Sequence, residues 1–179
     1  MASMNLLHEI TSGGNIPNVI NVIVEIPKGS KNKYELDKET GLITLDRAMH
    51  TSQDYPFDYG FVPQTHWEDG DPLDVVILTT YPLASGVLVK VRPIAIMNMV
   101  DDGESDAKII GVPEKDPRWD HVQDLEDLNP HTLKEIEHFF LTYKKLQNKE
   151  VHINGTDGAE AARAAIMKSK DLYKEKFGK

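Results

Sequence analysis

Hydrophobic residues in the first two thirds of the chain come in short, β-branched runs separated by turn formers. Val19 to Ile26 (Val-Ile-Asn-Val-Ile-Val-Glu-Ile) stops at Pro27, which predicts a strand ending in a turn. Lys33 to Asp37 and Leu42 to Arg47 flank Lys38-Glu39-Thr40-Gly41, the pattern of a hairpin. Further strands are expected over Tyr59 to Val62, Asp74 to Thr79, Val87 to Met99 and Lys108 to Val112. This succession of strands with short links favours a compact barrel.

The period changes after Asn129-Pro130, a cap followed by a proline at the first helical position. Leu133, Ile136, Phe139, Phe140, Tyr143 and Leu146 recur at three- and four-residue spacing, which predicts an amphipathic helix. A second helix is expected after Asp157-Gly158, running through the alanine-rich segment towards Phe177 with lysines in its C-terminal half. Strands first and helices last is an α+β arrangement, and 179 residues suit a single domain over positions 1–179.

Composition narrows the chemistry. With 20 basic and 29 acidic side chains the formal charge is −9, which argues against nucleic-acid binding by phosphate neutralisation. Cysteine is absent, so thiolate zinc sites and thiol nucleophiles are excluded. No apolar stretch approaches the ~18 residues of a membrane span, and the N-terminus lacks a signal-peptide pattern, so no membrane partner and a cytoplasmic location are expected.

The candidate chemistry lies in two acidic clusters. Asp69-Gly70-Asp71-Pro72-Leu73-Asp74 places three carboxylates in six positions immediately before an apolar strand. Asp, Gly and Pro alone would make a turn, but turn formation does not require Asp74. Mutual repulsion among such acids is relieved by raised pKa values or by a hard divalent cation. The spacing does not fit an EF-hand loop, and an aspartyl-phosphate nucleophile would follow its strand rather than precede it. The second cluster, Asp101-Asp102-Gly103-Glu104-Ser105-Asp106, reads by itself as an exposed acidic loop. Facing the first across a cleft, it could help hold metal against an anionic substrate.

Lys33, Arg47, Lys108 and Lys144 are candidate donors to such an anion, with Tyr55, Tyr59 and Tyr143 as neutral hydroxyl donors. Taken singly, each lysine would be a solvated surface residue. His131 and His138 share a helix face with Glu135 between them, but surface or subunit-contact roles fit better than zinc. Trp67 and Trp119 read as packing residues.

These residues together resemble the family I soluble inorganic pyrophosphatases, in the short prokaryotic-type form. The first acidic cluster resembles that family's signature. Glu25-Ile26-Pro27, Lys33-Tyr34-Glu35, Asp46-Arg47, Tyr55-Pro56, Tyr59-Gly60, Asp101 to Lys108, and Phe139-Phe140 to Tyr143-Lys144 follow in the family's order, from about Ile16 to Tyr173. The resemblance implies a five-stranded OB-like β-barrel flanked by two C-terminal helices and additional short strands. It implies hydrolysis of pyrophosphate to two orthophosphates by a metal-activated water. Asp69, Asp74 and Asp106 would hold the tightest metal, Asp101 and Asp102 further metal, and Asp71 would be the general base. Lys33, Arg47, Lys108, Tyr143 and Lys144 would grip phosphate, with Arg47 and Tyr55 supporting catalysis. Glu25, Glu35 and Tyr59 would shape the cleft and its water network.

Mg2+ is the implied cofactor, with Mn2+, Co2+ or Zn2+ as substitutes, and oxygen ligands favour magnesium or manganese over zinc. A homohexamer is implied as well. Asp102 stands where some family members carry glutamate, and Thr142 where a hexameric form can carry histidine. Three other readings compete. A different metal-dependent phosphohydrolase would need a base-reading motif for nucleotides, and an OB-type nucleic-acid module would need a basic, aromatic groove. A calcium-stabilised structural protein would leave the tyrosine–lysine set without a role.

Overall fold

A computed structural model describes residues 4–178 of the chain. Its strands are β1 (Ile20–Ile26), β2 (Asn32–Leu36), β3 (Ile43–Ala48), β4 (Asp58–Phe61), β5 (Asp74–Ile77), β6 (Leu88–Asp101), β7 (Glu104–Ser105), β8 (Lys108–Pro113) and β9 (Val151–Gly158). Its α-helices are α1 (Pro130–Thr142) and α2 (Ala159–Phe177). The class is mixed α+β, as the sequence pattern indicates.

β1 pairs antiparallel with β4, β4 with β5, and β8 with β6, while β5 and β8 run parallel. β1 also pairs with the first residues of β6, so the order β1-β4-β5-β8-β6 returns to β1. β7 and β9 both attach to the C-terminal half of the long β6. The β2–β3 hairpin forms a separate two-stranded sheet.

Successive side chains of a strand point to opposite faces, and here both faces are buried. Val75, Ile77 and Ile109 join the cluster that receives Ala162, Ala165 and Ile166 of α2. Val76, Ile110 and Val112 join the cluster that receives Ile136, Phe139 and Phe140 of α1. This is why β5 and β8 read as nearly continuous apolar runs rather than as alternating ones. α1 begins as expected, with the Asn129 side chain accepting from His131 N at 2.9 Å and Pro130 in the first turn. It ends at Thr142, so Leu146 falls outside it and is exposed.

Two strands have no counterpart in the sequence reading, β7 and β9. Asp102 (φ 49°) and Gly103 (φ 81°) form the two-residue turn between β6 and β7, so the second acidic cluster is a tight hairpin tip. β9 carries Asn154, Gly155, Asp157 and Gly158, turn-forming residues that form a strand here because the edge of β6 pairs with them.

Gly60 permits the closest strand contact. A Cβ there would lie 2.0 Å from the Ile23 carbonyl oxygen, backbone against backbone. Gly60→Ala should therefore cost about 1–3 kcal/mol or more through overpacking. Urea unfolding should show a lower midpoint, and an unchanged midpoint would contradict this contact.

Candidate active site

The carboxyl cluster is assembled by strand ends. Asp74 opens β5 and Lys108 opens β8, and the parallel pairing sets them side by side. On the other side of β5, Phe61 of β4 stands opposite Asp74, and Tyr59 two residues earlier donates its hydroxyl to Asp74 Oδ2 at 2.6 Å. Glu25 reaches the same region because β1 shifts register between Val24 and Ile26 against Gly60 and Tyr59. The extra residue in such a bulge is re-aimed away from the ladder. Glu25 is buried, and its Oε1 accepts from Leu36 N of the hairpin at 2.8 Å.

These groups line a cleft of about 590 Å³. The two acidic clusters meet there, as the sequence suggested, and Trp67 Nε1 ties them by donating to Ser105 Oγ at 3.3 Å. The hairpin contributes Lys33 and Glu35, and the residues just after α1 contribute Tyr143 and Lys144. Asp69, Asp71, Asp74, Asp101, Asp102, Asp106, Glu25, Tyr55, Tyr59 and Lys108 complete the predicted set on its wall. Arg47 is the exception among the predicted residues. It stands opposite Lys33 on β3, pairs with Asp46 at 2.5 Å and does not form part of the wall.

Acidic charge exceeds basic charge inside the cleft. Lys108 is 3% exposed, and its Nζ contacts Asp74 Oδ2 at 2.6 Å and Asp106 Oδ1 at 2.5 Å. Burial works to lower its pKa, but Asp74 and Asp106 outweigh it, so the lysine is held firmly charged. Burial raises Asp74 even with Lys108 beside it, and Asp106 adds repulsion. Asp69 is pushed up to about 7 by burial, with Asp106 and Asp74 adding to the rise against a backbone hydrogen bond from Asp71. Glu25 is pushed up to about 8 by burial and then by Asp74. Tyr55, Tyr59 and Tyr143 are raised by burial and stay neutral hydroxyl donors.

Among the described residues, no group of three or more His, Asp or Glu side chains stands pre-assembled around a point. Lys108 bridges Asp74 and Asp106 instead, while Lys144 pairs with Asp101 and Lys33 with Glu35 at 2.7 Å and Asp46 at 3.2 Å. Like charges this close need a countercharge, and neighbouring ammonium groups supply it. Asp101 Oδ1 is nevertheless buried with no hydrogen-bond partner. Lys38 and Glu104 also line the cleft, although the sequence reading gave neither a role. Lys38 belongs to Asp37-Lys38-Glu39-Thr40-Gly41, and turn chemistry accounts for that segment so fully that spacing left no signal. No described helix is long and apolar enough to cross a membrane.

Comparison with known proteins points one way. A family model described as "Inorganic pyrophosphatase" matches residues 22–174. An inorganic pyrophosphatase of Haloferax volcanii is 46% identical over 175 residues, covering 97% of this chain and 99% of that protein. A soluble inorganic pyrophosphatase of Zea mays is 50% identical over 166 residues, covering 93% of this chain and 78% of that protein. The crystal structure of the inorganic pyrophosphatase from Thermus thermophilus is similar at a TM-score of 0.92 and 44% identity, covering 96% of this chain and 99% of that one.

Proposed function

The chain belongs to the inorganic pyrophosphatase family and is a hydrolase that splits pyrophosphate to phosphate, and we propose that it does so in this cleft with Asp71 as general base and carboxylate-bound divalent cations. The observation that carries the proposal is the convergence of both acidic clusters with Lys33, Lys108 and Lys144 on one wall. The closed strand order is read as the five-stranded OB-like barrel, forming one domain across the chain.

The donor set suits a hard divalent cation. Every candidate ligand is an oxygen, burial and then neighbouring carboxylates raise Asp69 and Asp74, a cost that a bound cation would offset, and the buried Asp101 Oδ1 lacks a partner. Asp69, Asp74 and Asp106, with Asp101 and Asp102, would hold such ions, magnesium foremost. Bound there, the ions would neutralise phosphoryl charge and lower the pKa of water.

Each remaining role follows from position. Asp71 stands at the cleft mouth with its carboxylate more than half exposed, open to a water whose proton it can take. Lys33 on the hairpin and Tyr143 and Lys144 beyond α1 approach from different elements, and with Lys108 they can grip both phosphoryl groups. Arg47, beside Lys33 on the hairpin, would act from behind the wall. Tyr55 and Tyr59 hold hydroxyl donors in place, while Glu25 and Glu35 order the hairpin and its water. The reading extends to a cytoplasmic homohexamer, as the family resemblance implies.

The test is phosphate release from pyrophosphate, with ATP and p-nitrophenyl phosphate in parallel, each with magnesium and with a chelator. Fast release from pyrophosphate that stops on chelation is expected, with the other substrates far slower. Release that persists in chelator would remove the metal from the proposal, and equal rates on ATP would remove the small-substrate specificity.

A further inference from the structure

The proposed base has a backbone that is fixed and a side chain that is not. Asp71 N donates to Asp69 Oδ1 at 3.0 Å, and its carbonyl accepts from Trp67 N at 2.7 Å. Its carboxylate projects from the wall, 59% exposed. An untethered aspartate there would distribute over three χ1 wells and a broad χ2. Among the described residues, its carboxylate receives one side-chain hydrogen bond, from Lys38 Nζ to Oδ1 at 2.5 Å. The same ammonium donates to Gly70 O at 3.3 Å, so it holds both the carboxylate and the loop beneath it.

Lys38 comes from a different element, the tip of the separate β2–β3 hairpin, and that tip is itself rigid. The Asp37 carboxylate accepts from Glu39 N and Thr40 Oγ1, both at 2.9 Å. Gly41 N donates to Asp37 O at 2.8 Å, with Gly41 at φ 71°. The strand pair next to this turn, Leu36 and Ile43, is anchored by packing with Leu7, Ile23 and Phe61. A braced hairpin thus carries a lysine across the cleft mouth to a carboxylate that is otherwise free to rotate.

We infer that Lys38 is a positioning residue that holds Asp71 Oδ1 and so leaves Oδ2 directed at the attacking water. The inference rests on the reading of Asp71 as the base. An exposed ion pair of this kind adds little to stability, so its effect lies in the rotamer it selects. Losing the tether should dilute the productive rotamer and lower kcat by about three- to tenfold, as expected from spreading over the staggered wells.

The experiment compares kcat and KM for pyrophosphate in the full-length wild type, Lys38→Met, Lys38→Arg, Asp71→Asn and the double variant Lys38→Met/Asp71→Asn, all at saturating magnesium. Lys38→Met should lose kcat with KM nearly unchanged, and Lys38→Arg should recover most of it. In the Asp71→Asn background, Lys38→Met should add no further loss, since the group it positions no longer takes a proton. A raised KM with kcat kept, or losses that multiply in the double variant, would make Lys38 a substrate-binding residue and overturn the inference. An unchanged kcat in Lys38→Met beside a slow Asp71→Asn would overturn it while leaving the base assignment standing. A fast Asp71→Asn would remove the base assignment and this inference together.

Discussion

Asp71→Asn should fold like the parent and release phosphate from pyrophosphate about 10²–10³ times more slowly, the range for losing a positioned general base or one well-placed charge. The amide matches the carboxylate in shape. The substituted residue would keep the backbone bonds that Asp71 makes, from its N to Asp69 and from Trp67 N to its carbonyl, and its side-chain oxygen could still accept from Lys38. The position is exposed, so thermal unfolding should move by no more than the equivalent of about 0.5 kcal/mol. With the substrate's other contacts proposed to come from Lys33, Lys108, Tyr143 and Lys144, the loss should fall on kcat rather than KM. Wild-type turnover in the folded variant at saturating magnesium would show that another group takes the proton.

Much of the framework could be read from periodicity because burial is two-sided and local. The β1, β5 and β8 runs are apolar where the chain buries both faces, and α1 is marked by its Asn129-Pro130 start and its Phe139-Phe140 face. Reading failed where a distant partner decides the conformation. Asn154, Gly155, Asp157 and Gly158 of β9 favour turns, and the segment is a strand because it pairs along β6 from Ala95–Gly158 to Asp101–Val151. Leu146 kept the helical period of α1 after the helix had ended, because an apolar residue at the right spacing carries no information about the cap at Tyr143.

The site was legible to the extent that carboxylates advertise themselves. Asp69, Asp71 and Asp74 stood out because repulsion among them requires an explanation, and they do share a cleft with Asp101, Asp102 and Asp106. Glu25 was not legible from pattern alone, since an acid inside an apolar strand becomes a cleft residue only through the bulge that turns it. Arg47, expected to grip phosphate, pairs with Asp46 and is not among the residues that line the cleft. Its alternation with Lys33 cannot be read within one strand, because the β2–β3 register shifts next to them, between Lys33 and Tyr34.

The largest combined effect on stability and rate is expected at Lys108. Its stem packs beside Tyr59 and Phe140, with Nζ 5.5 Å and 5.9 Å from the ring centres, so Lys108→Met keeps the volume and removes the charge. Asp74 and Asp106, both half-buried, would then face each other without the buried ammonium that bridges them. Breaking a buried ion pair by removing one partner costs about 3–5 kcal/mol, which for a domain of this size corresponds to a melting temperature lower by roughly 6–20 °C. The drop should be greatest in chelator and smaller in magnesium, because a divalent cation offsets the same carboxylate repulsion that Lys108 offsets. Turnover should remain at least about 10² below the parent even in magnesium, since a cation that restores the fold would not replace the phosphate donor that Lys108 is proposed to be. Equal melting of the two proteins in chelator would mean that the carboxyls shed their charge by protonation when the lysine is gone, and that Lys108 serves the substrate alone.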